Sequence, residues 1–168
     1  MVNLKKNIIY LLGVFLNNAI DLAYLFHFKP KIKSCFPYQK LETEYKHTFF
    51  GYYDKSPFNK DDTKLLAIAT NYDKKKNNSK EAVVGYFDLI TSKFKEIGRT
   101  STWSWQLGAR LQWLPGEIKE LICYNSEVQG NLGAIIQNIS TKEIIRKFNI
   151  PIFDIDKKGN NALGLNFS

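Results

Sequence analysis

Cysteine is scarce: Cys35 and Cys123 are the only two in 168 residues. One falls in a linker and the other in an expected strand, so they supply neither a disulfide framework nor a metal knuckle. Cys123 reads as a small buried hydrophobe and Cys35 as an incidental thiol. Arginine is almost as rare, with Arg99, Arg110 and Arg146 far apart in the chain. A nucleic-acid interface clusters Arg and Lys along a groove with interleaved aromatics, and that pattern is missing, so no nucleic-acid partner is expected. His27 and His47 are the only histidines, one in an apolar segment and one at the start of the globular part, so no metal cluster can be read. Nor is there a nucleophile triad, a phosphate-cradling glycine loop or a pair of carboxylates at useful spacing. Gly130-Asn131-Leu132-Gly133 is a hairpin turn with no helix behind it.

Long apolar runs are also missing. The uninterrupted run from Ile8 to Leu16 falls short of the roughly 20 residues of a spanning helix, and Asp21 beyond it costs about 2.5 to 3.5 kcal/mol near a bilayer centre. Residues 4–28 still read as helix, with Asn7, Tyr10, Asn17, Asp21 and Tyr24 as a narrow polar stripe, and Pro30 stops it. A signal peptide would show small residues at a cleavage site, where Asn17, Asn18 and Asp21 stand instead. The reading favoured over an anchor or signal peptide is an amphipathic helix, lying on a membrane or packed against the protein. Residues 1–60 hold nine lysines against four acidic residues, and residues 61–168 hold fifteen basic against twelve acidic, so the net charge of +8 is concentrated at the front. That asymmetry suits an anionic membrane surface. The protein is accordingly expected in the cytoplasm or at the cytoplasmic membrane, with export to the periplasm as the alternative. Residues 29–46, with two prolines and no periodicity, read as a linker.

From His47 onward the composition is that of strands: apolar stretches of five to eight residues bounded by turn residues, too short for helical repeats. Three segments superpose. Phe58-Asn59-Lys60-Asp61-Asp62, Trp113-Leu114-Pro115-Gly116-Glu117 and Ile155-Asp156-Lys157-Lys158-Gly159 each run from a bulky apolar residue through a turn into a strand, expected at Lys64–Ala69, Lys119–Tyr124 and Asn161–Phe167. A second marker repeats, Asp88-Leu89-Ile90-Thr91 over Asn138-Ile139-Ser140-Thr141, leading into strands at Phe94–Gly98 and Glu143–Phe148. Four short strands per unit at a period of about 40 to 55 residues describe an all-β β-propeller of four-stranded antiparallel blades. Blade one covers 47–100, blade two 101–149, and 150–168 opens blade three. About two and a half blades cannot close a ring of four to eight, so the chain reads as the amino-terminal part of a longer protein or a truncated product.

These units resemble the repeats of TolB-like and oligogalacturonate lyase-like propellers, whose blades carry a Ser-Pro-x-x-Ser-Pro-Asp-Gly turn. Ser56-Pro57-Phe58-Asn59-Lys60-Asp61-Asp62 is close to it, Asp156-Lys157-Lys158-Gly159 partly so and Leu114-Pro115-Gly116-Glu117 loosely. The combination HTFFGYYDKSP, TWSWQLGARLQWLPG and ALGLNFS is similar to bacterial propeller proteins of surface-polysaccharide loci, some labelled as glycosyltransferases. The resemblance covers roughly residues 47–168. In the lyases the family chemistry is metal-assisted β-elimination on an acidic sugar, with histidines and a glutamine on the metal. This chain shows no such set, so no cofactor is evident, and a divalent metal would need ligands beyond residue 168.

In a propeller the loops entering the inner strands and those between second and third strands share one face, which here brings together His47–Tyr53, Asn71–Lys80, Trp103–Gln106 and Glu127–Asn131. Tyr52, Tyr53, Trp103 and Trp105 offer flat faces that stack on sugar rings, and Asp54, Lys55, Gln106 and Arg110 offer hydrogen bonds to hydroxyls or a carboxylate. Each has a structural alternative. On a strand, one of Tyr52 and Tyr53 belongs to the core, and Trp103 and Trp105 share one face that could equally pack between blades. Asp54 and Lys55 could pair across blades, and His47 could be a turn residue. The expected ligand is an oligo- or polysaccharide, and the expected role is a binding or accessory protein in handling a bacterial surface polysaccharide. A metal-assisted or glycosyltransferase-type enzyme on acidic glycans, with Lys55 or Arg110 neutralising a carboxylate, and an interaction scaffold are the alternatives.

Overall fold

A computed structural model of the protein describes residues 12–19, 22, 34–73, 76, 80–116 and 120–165. They belong to two units, Met1–Gln39 and Lys40–Ser168. In the first, residues 12–19 and Leu22 are helical, and the rest of the helix expected over 4–28 lies outside the described residues.

The second unit is all-β among its described residues apart from isolated turns. Strands β1 (His47–Phe49), β2 (Lys64–Thr70), β3 (Ala82–Asp88) and β4 (Lys93–Thr100) form one antiparallel sheet in chain order. Strands β5 (Gln112–Trp113), β6 (Leu121–Val128), β7 (Asn131–Asn138) and β8 (Ile144–Phe148) form a second, and β9 (Ile152–Ile155) pairs with β10 (Ala162–Gly164) in a hairpin. The unit starts at Lys40 rather than near His47. Glu42 bridges Lys93 in parallel, and Tyr45 packs edge-on against Phe94. These long-range contacts leave no trace in the mixed-charge composition from which a linker was read.

Alternation along the strands builds two apolar layers. Leu66, Ile68, Val84, Tyr86 and Ile97 of the first sheet meet Leu111, Ile122, Tyr124 and Ile135 of the second in one buried cluster. Cys123 and Ala134, on the opposite face of the second sheet, are buried with Ile152, against which Ile136, Phe148 and Ile155 pack. The second sheet is therefore covered on both faces, and Leu121 to Ser126 of β6 are all buried. The first layer is tight at Gly98, where a Cβ would lie 2.5 Å from Tyr124 Oη and 2.8 Å from Gln137 Oε1. Tyr124 Oη donates to Gln137 Oε1 at 2.7 Å, so neither group can withdraw without breaking a buried bond. Burial pushes both the Tyr124 hydroxyl and the Cys123 thiol up to about 12, consistent with an inert, packed cysteine.

The repeated turns have one mechanism. Asn59 Oδ1 accepts from the backbone N–H groups of Thr63 and Lys64, and Asp156 Oδ1 accepts from those of Asn160 and Asn161. Asp62 and Gly159, at the same point of the two turns, both take positive φ, 52° and 73°. Leu114 occupies the equivalent place in the second sheet and has no side-chain acceptor. Its backbone N–H bonds the Leu121 carbonyl, two residues farther than in the other two turns, and β6 accordingly begins at Leu121 instead of the expected Lys119. The second marker is a pair of Asx turns: Asp88 Oδ1 accepts from Ile90 and Thr91, and Asn138 Oδ1 from Ser140 and Thr141.

Several of these carboxylates titrate low. The Thr91 backbone N–H and then Lys95 hold Asp88 well below the usual carboxylate range, Lys55 lowers Asp154, and the Asn161 backbone N–H lowers Asp156. A carboxylate depressed in the folded state adds stability that is complete above its unfolded value and lost as the pH falls through its folded value. Urea midpoints should therefore be flat above about pH 5 and decline below about pH 4. An Asp88→Asn variant, in which the Asx acceptor survives without the charge, should show a shallower decline.

Candidate functional site

The β1 edge of the first sheet is interrupted. Phe49 pairs with Ile68, and the next bridge is Phe58 with Leu65, so nine steps along the edge segment face only three along β2. The surplus leaves the sheet as a bulged loop, Phe50–Pro57. Gly51 permits the departure with φ of 123°, and a Cβ there would lie 2.9 Å from Leu107 carbonyl atoms and the Gly108 nitrogen. The loop thus abuts the Ser104–Gly108 turn, closed by reciprocal backbone bonds of 3.1 and 2.9 Å between Ser104 and Gly108.

Tyr52 and Tyr53 sit in this loop and not on a strand, so they do not alternate. Their rings stack at 4.3 Å with an interplanar angle of 29°, and the hydroxyls are 3.1 Å apart. Tyr53 is 86% exposed and Tyr52 is partly covered. The bond to Tyr53 raises the Tyr52 hydroxyl above its ordinary value. The result is a two-ring ledge on the surface.

Behind the ledge lies a set of ion pairs. Arg110 Nη1 and Nη2 donate to the two carboxylate oxygens of Asp54 at 3.2 and 2.7 Å, while Nε and Nη2 donate to the Phe153 carbonyl at 3.0 and 2.8 Å. The guanidinium also lies 3.8 Å from the Phe153 ring centroid. Lys55 Nζ donates to Asp154. Adjacent residues of one loop therefore bind the start of the second sheet and strand β9. Both cations proposed to neutralise a substrate carboxylate are already engaged by carboxylates of the protein.

The second aromatic group surrounds the Ser104–Gly108 turn. Trp103 and Trp105, expected to project from one face of a strand, instead meet edge to face at 4.9 Å and 89°, because the chain turns between them. Trp103 is buried, donates from Nε1 to the Lys80 carbonyl at 2.7 Å, and touches Phe49 and Tyr72. Trp105 lies on Phe49 at 5.1 Å, takes the edge of His47 at 5.3 Å, and remains 51% exposed. Gln106 is exposed in the same turn.

No family model, curated protein or solved structure matches the chain.

Of the loops expected on one face, three are joined: His47 meets Trp105 edge to face at 5.3 Å, and Trp103 Nε1 donates to the Lys80 carbonyl at 2.7 Å. Residues 74, 75 and 77–79 of the second loop lie outside the described residues. Of the fourth, Glu127–Asn131, Val128 is the last residue of β6 and belongs to the inter-sheet core. Among the described residues no group of three or more His, Cys, Asp or Glu could hold a metal ion. A shallow groove of about 280 Å³ lies away from these residues, between segment 42–45 and β4, lined by Glu42, Glu44, Lys93, Phe94 and Glu96. Phe49, Tyr72, Phe153 and Asp154 belong to the site region without having been singled out by sequence. The first two fall within the expected loops His47–Tyr53 and Asn71–Lys80, and nothing pointed to Phe153 or Asp154.

The arrangement offers exposed flat rings with polar rims on rigid supports.

Proposed function

We propose that the two sheets and the hairpin are consecutive blades of a β-propeller, and that the protein binds carbohydrate through Trp105 and the Tyr52–Tyr53 ledge. Support for the propeller comes from successive antiparallel units, strands in chain order, with apolar layers between neighbours. The observation that carries the binding role is Trp105: a large ring half open to solvent, yet held in place by His47, Phe49 and Trp103. A rigid aromatic plane beside hydroxyl and amide groups fits the apolar face and hydroxyl rim of a pyranose ring. The reading extends to an accessory role in making or handling a bacterial surface polysaccharide.

The test is a glycan array followed by calorimetric titration of the best oligosaccharide. Trp105→Ala and Tyr53→Ala should each weaken binding by roughly tenfold, equivalent to about 1.4 kcal/mol. Each should leave the unfolding midpoint almost unchanged, as expected for exposed side chains. Absence of sugar binding across the array, or affinity indifferent to Trp105→Ala, would sink the reading.

A further inference from the structure

The first unit carries an apolar stripe that the carbohydrate reading leaves unused. At roughly 100° per residue, Leu12, Phe15, Leu16, Ala19 and Leu22 fall within an arc of about 120°, while Gly13, Val14, Asn17 and Asn18 occupy the remainder. The large residues of this stripe are open to solvent, Leu12 at 56%, Phe15 at 72%, Leu16 at 59% and Leu22 at 56%. Contiguous exposed apolar surface of this kind marks an interaction site.

Charge identifies the occupant. The unit Met1–Gln39 contains Lys5, Lys6, Lys29, Lys31 and Lys33 against the single acid Asp21. An apolar helix face within a strongly basic segment complements a surface that is apolar beneath and anionic above. Among the described residues no helix is long and apolar enough to cross a membrane, whereas the stripe has the width of a helix lying in the interface.

We propose that residues 12–22 dock the protein on an anionic lipid surface, with Leu12, Phe15, Leu16 and Leu22 inserted at the headgroup–acyl boundary. This does not depend on sugar binding, and either reading can fail alone.

The experiment is sedimentation of the full chain with vesicles of phosphatidylcholine alone and of an equal mixture of phosphatidylcholine and phosphatidylglycerol. Binding should be strong to the mixed vesicles, at least tenfold weaker to neutral ones, and reduced in about 0.5 M salt, where screening shortens to a few ångströms. Phe15→Asp should lower the partition coefficient at least tenfold, since one inserted aromatic ring is lost and a charge is added. Asn17→Asp, on the opposite side of the helix, should change it less than threefold, and the urea midpoint of the β unit should be the same in both variants. Bound protein should be released by alkaline carbonate. No binding to the mixed vesicles, equal binding to neutral ones, resistance to carbonate, or a Phe15→Asp variant that lowers the urea midpoint while keeping its lipid affinity would each overturn the proposal.

Discussion

Replacing Asp54 with Ala should lower the stability of the β unit by about 3 to 5 kcal/mol, far more than a partly exposed loop residue ordinarily costs. The reason is the partner. The Arg110 side chain is only 3% exposed, and Asp54 supplies the countercharge through two of its four hydrogen bonds. Without that carboxylate the guanidinium stays buried against the Phe153 ring with one carbonyl as its acceptor. Breaking a buried pair from one side leaves an uncompensated charge, and this penalty exceeds the net worth of the pair. Because the Asp54 side chain is 30% exposed, water can reach the vacated position, which favours the lower end of the range.

Arg110→Met should cost less, about 1 to 3 kcal/mol. It frees Asp54 to hydrate and leaves the Phe153 carbonyl as the main loss. The double variant should be more stable than Asp54→Ala alone, with a coupling energy of about 1 to 3 kcal/mol between the sites. Urea denaturation followed by tryptophan fluorescence measures all four corners of the cycle. A cost below about 1 kcal/mol for Asp54→Ala would mean that the loop is not held by this pair. The exposed Lys40–Glu42 pair, with both side chains 73% exposed, serves as the internal contrast: Glu42→Gln should leave the urea midpoint essentially unchanged.

This pair also shows where sequence reading reaches its limit. The strands, their grouping in fours and the Asx turns were legible because each is written locally, in apolar runs of five to eight residues and in Asn or Asp at fixed positions before a strand. The Asn59 and Asp156 turns share one hydrogen-bond pattern and one positive-φ position, and the overlay of the two segments had placed them in register. Leu114 broke the pattern in the sequence, and β6 starts later for that reason. Asp54 and Arg110 are 56 residues apart, and Lys55 and Asp154 are 99 apart, with no local pattern announcing either pairing. The bulge itself has the same cause: His47–Tyr53 reads as a loop, but only the pairing of Phe58 with Leu65 shows that six residues have no partner in β2. Opposite directions for Tyr52 and Tyr53 apply only on a strand, and in the loop the two rings stack instead. The sequence order of Trp103 and Trp105 likewise could not reveal which ring is structural.

That division of labour between the tryptophans sets the second large effect. Trp103→Ala should destabilise the β unit by about 3 to 5 kcal/mol, in the range for removing a buried aromatic ring. Trp103 is 5% exposed, belongs to the cluster between the two sheets, and touches Phe49, Tyr72 and Trp105. Its removal leaves a cavity between the sheets and takes the indole donor from the Lys80 carbonyl. Trp103→Phe keeps most of the ring packing and loses the donor, so an intermediate loss of about 2 kcal/mol follows from the cavity and hydrogen-bond terms together. Trp105→Ala, by contrast, removes a ring that solvent already reaches and should cost about 1 kcal/mol or less. The two substitutions should separate in a single pair of measurements: Trp103→Phe lowers the urea midpoint while sugar affinity falls less than threefold, and Trp105→Ala lowers sugar affinity roughly tenfold while the midpoint holds. If both readouts moved together in both variants, Trp105 would be part of the core, and the exposed ring would lose its claim to a ligand.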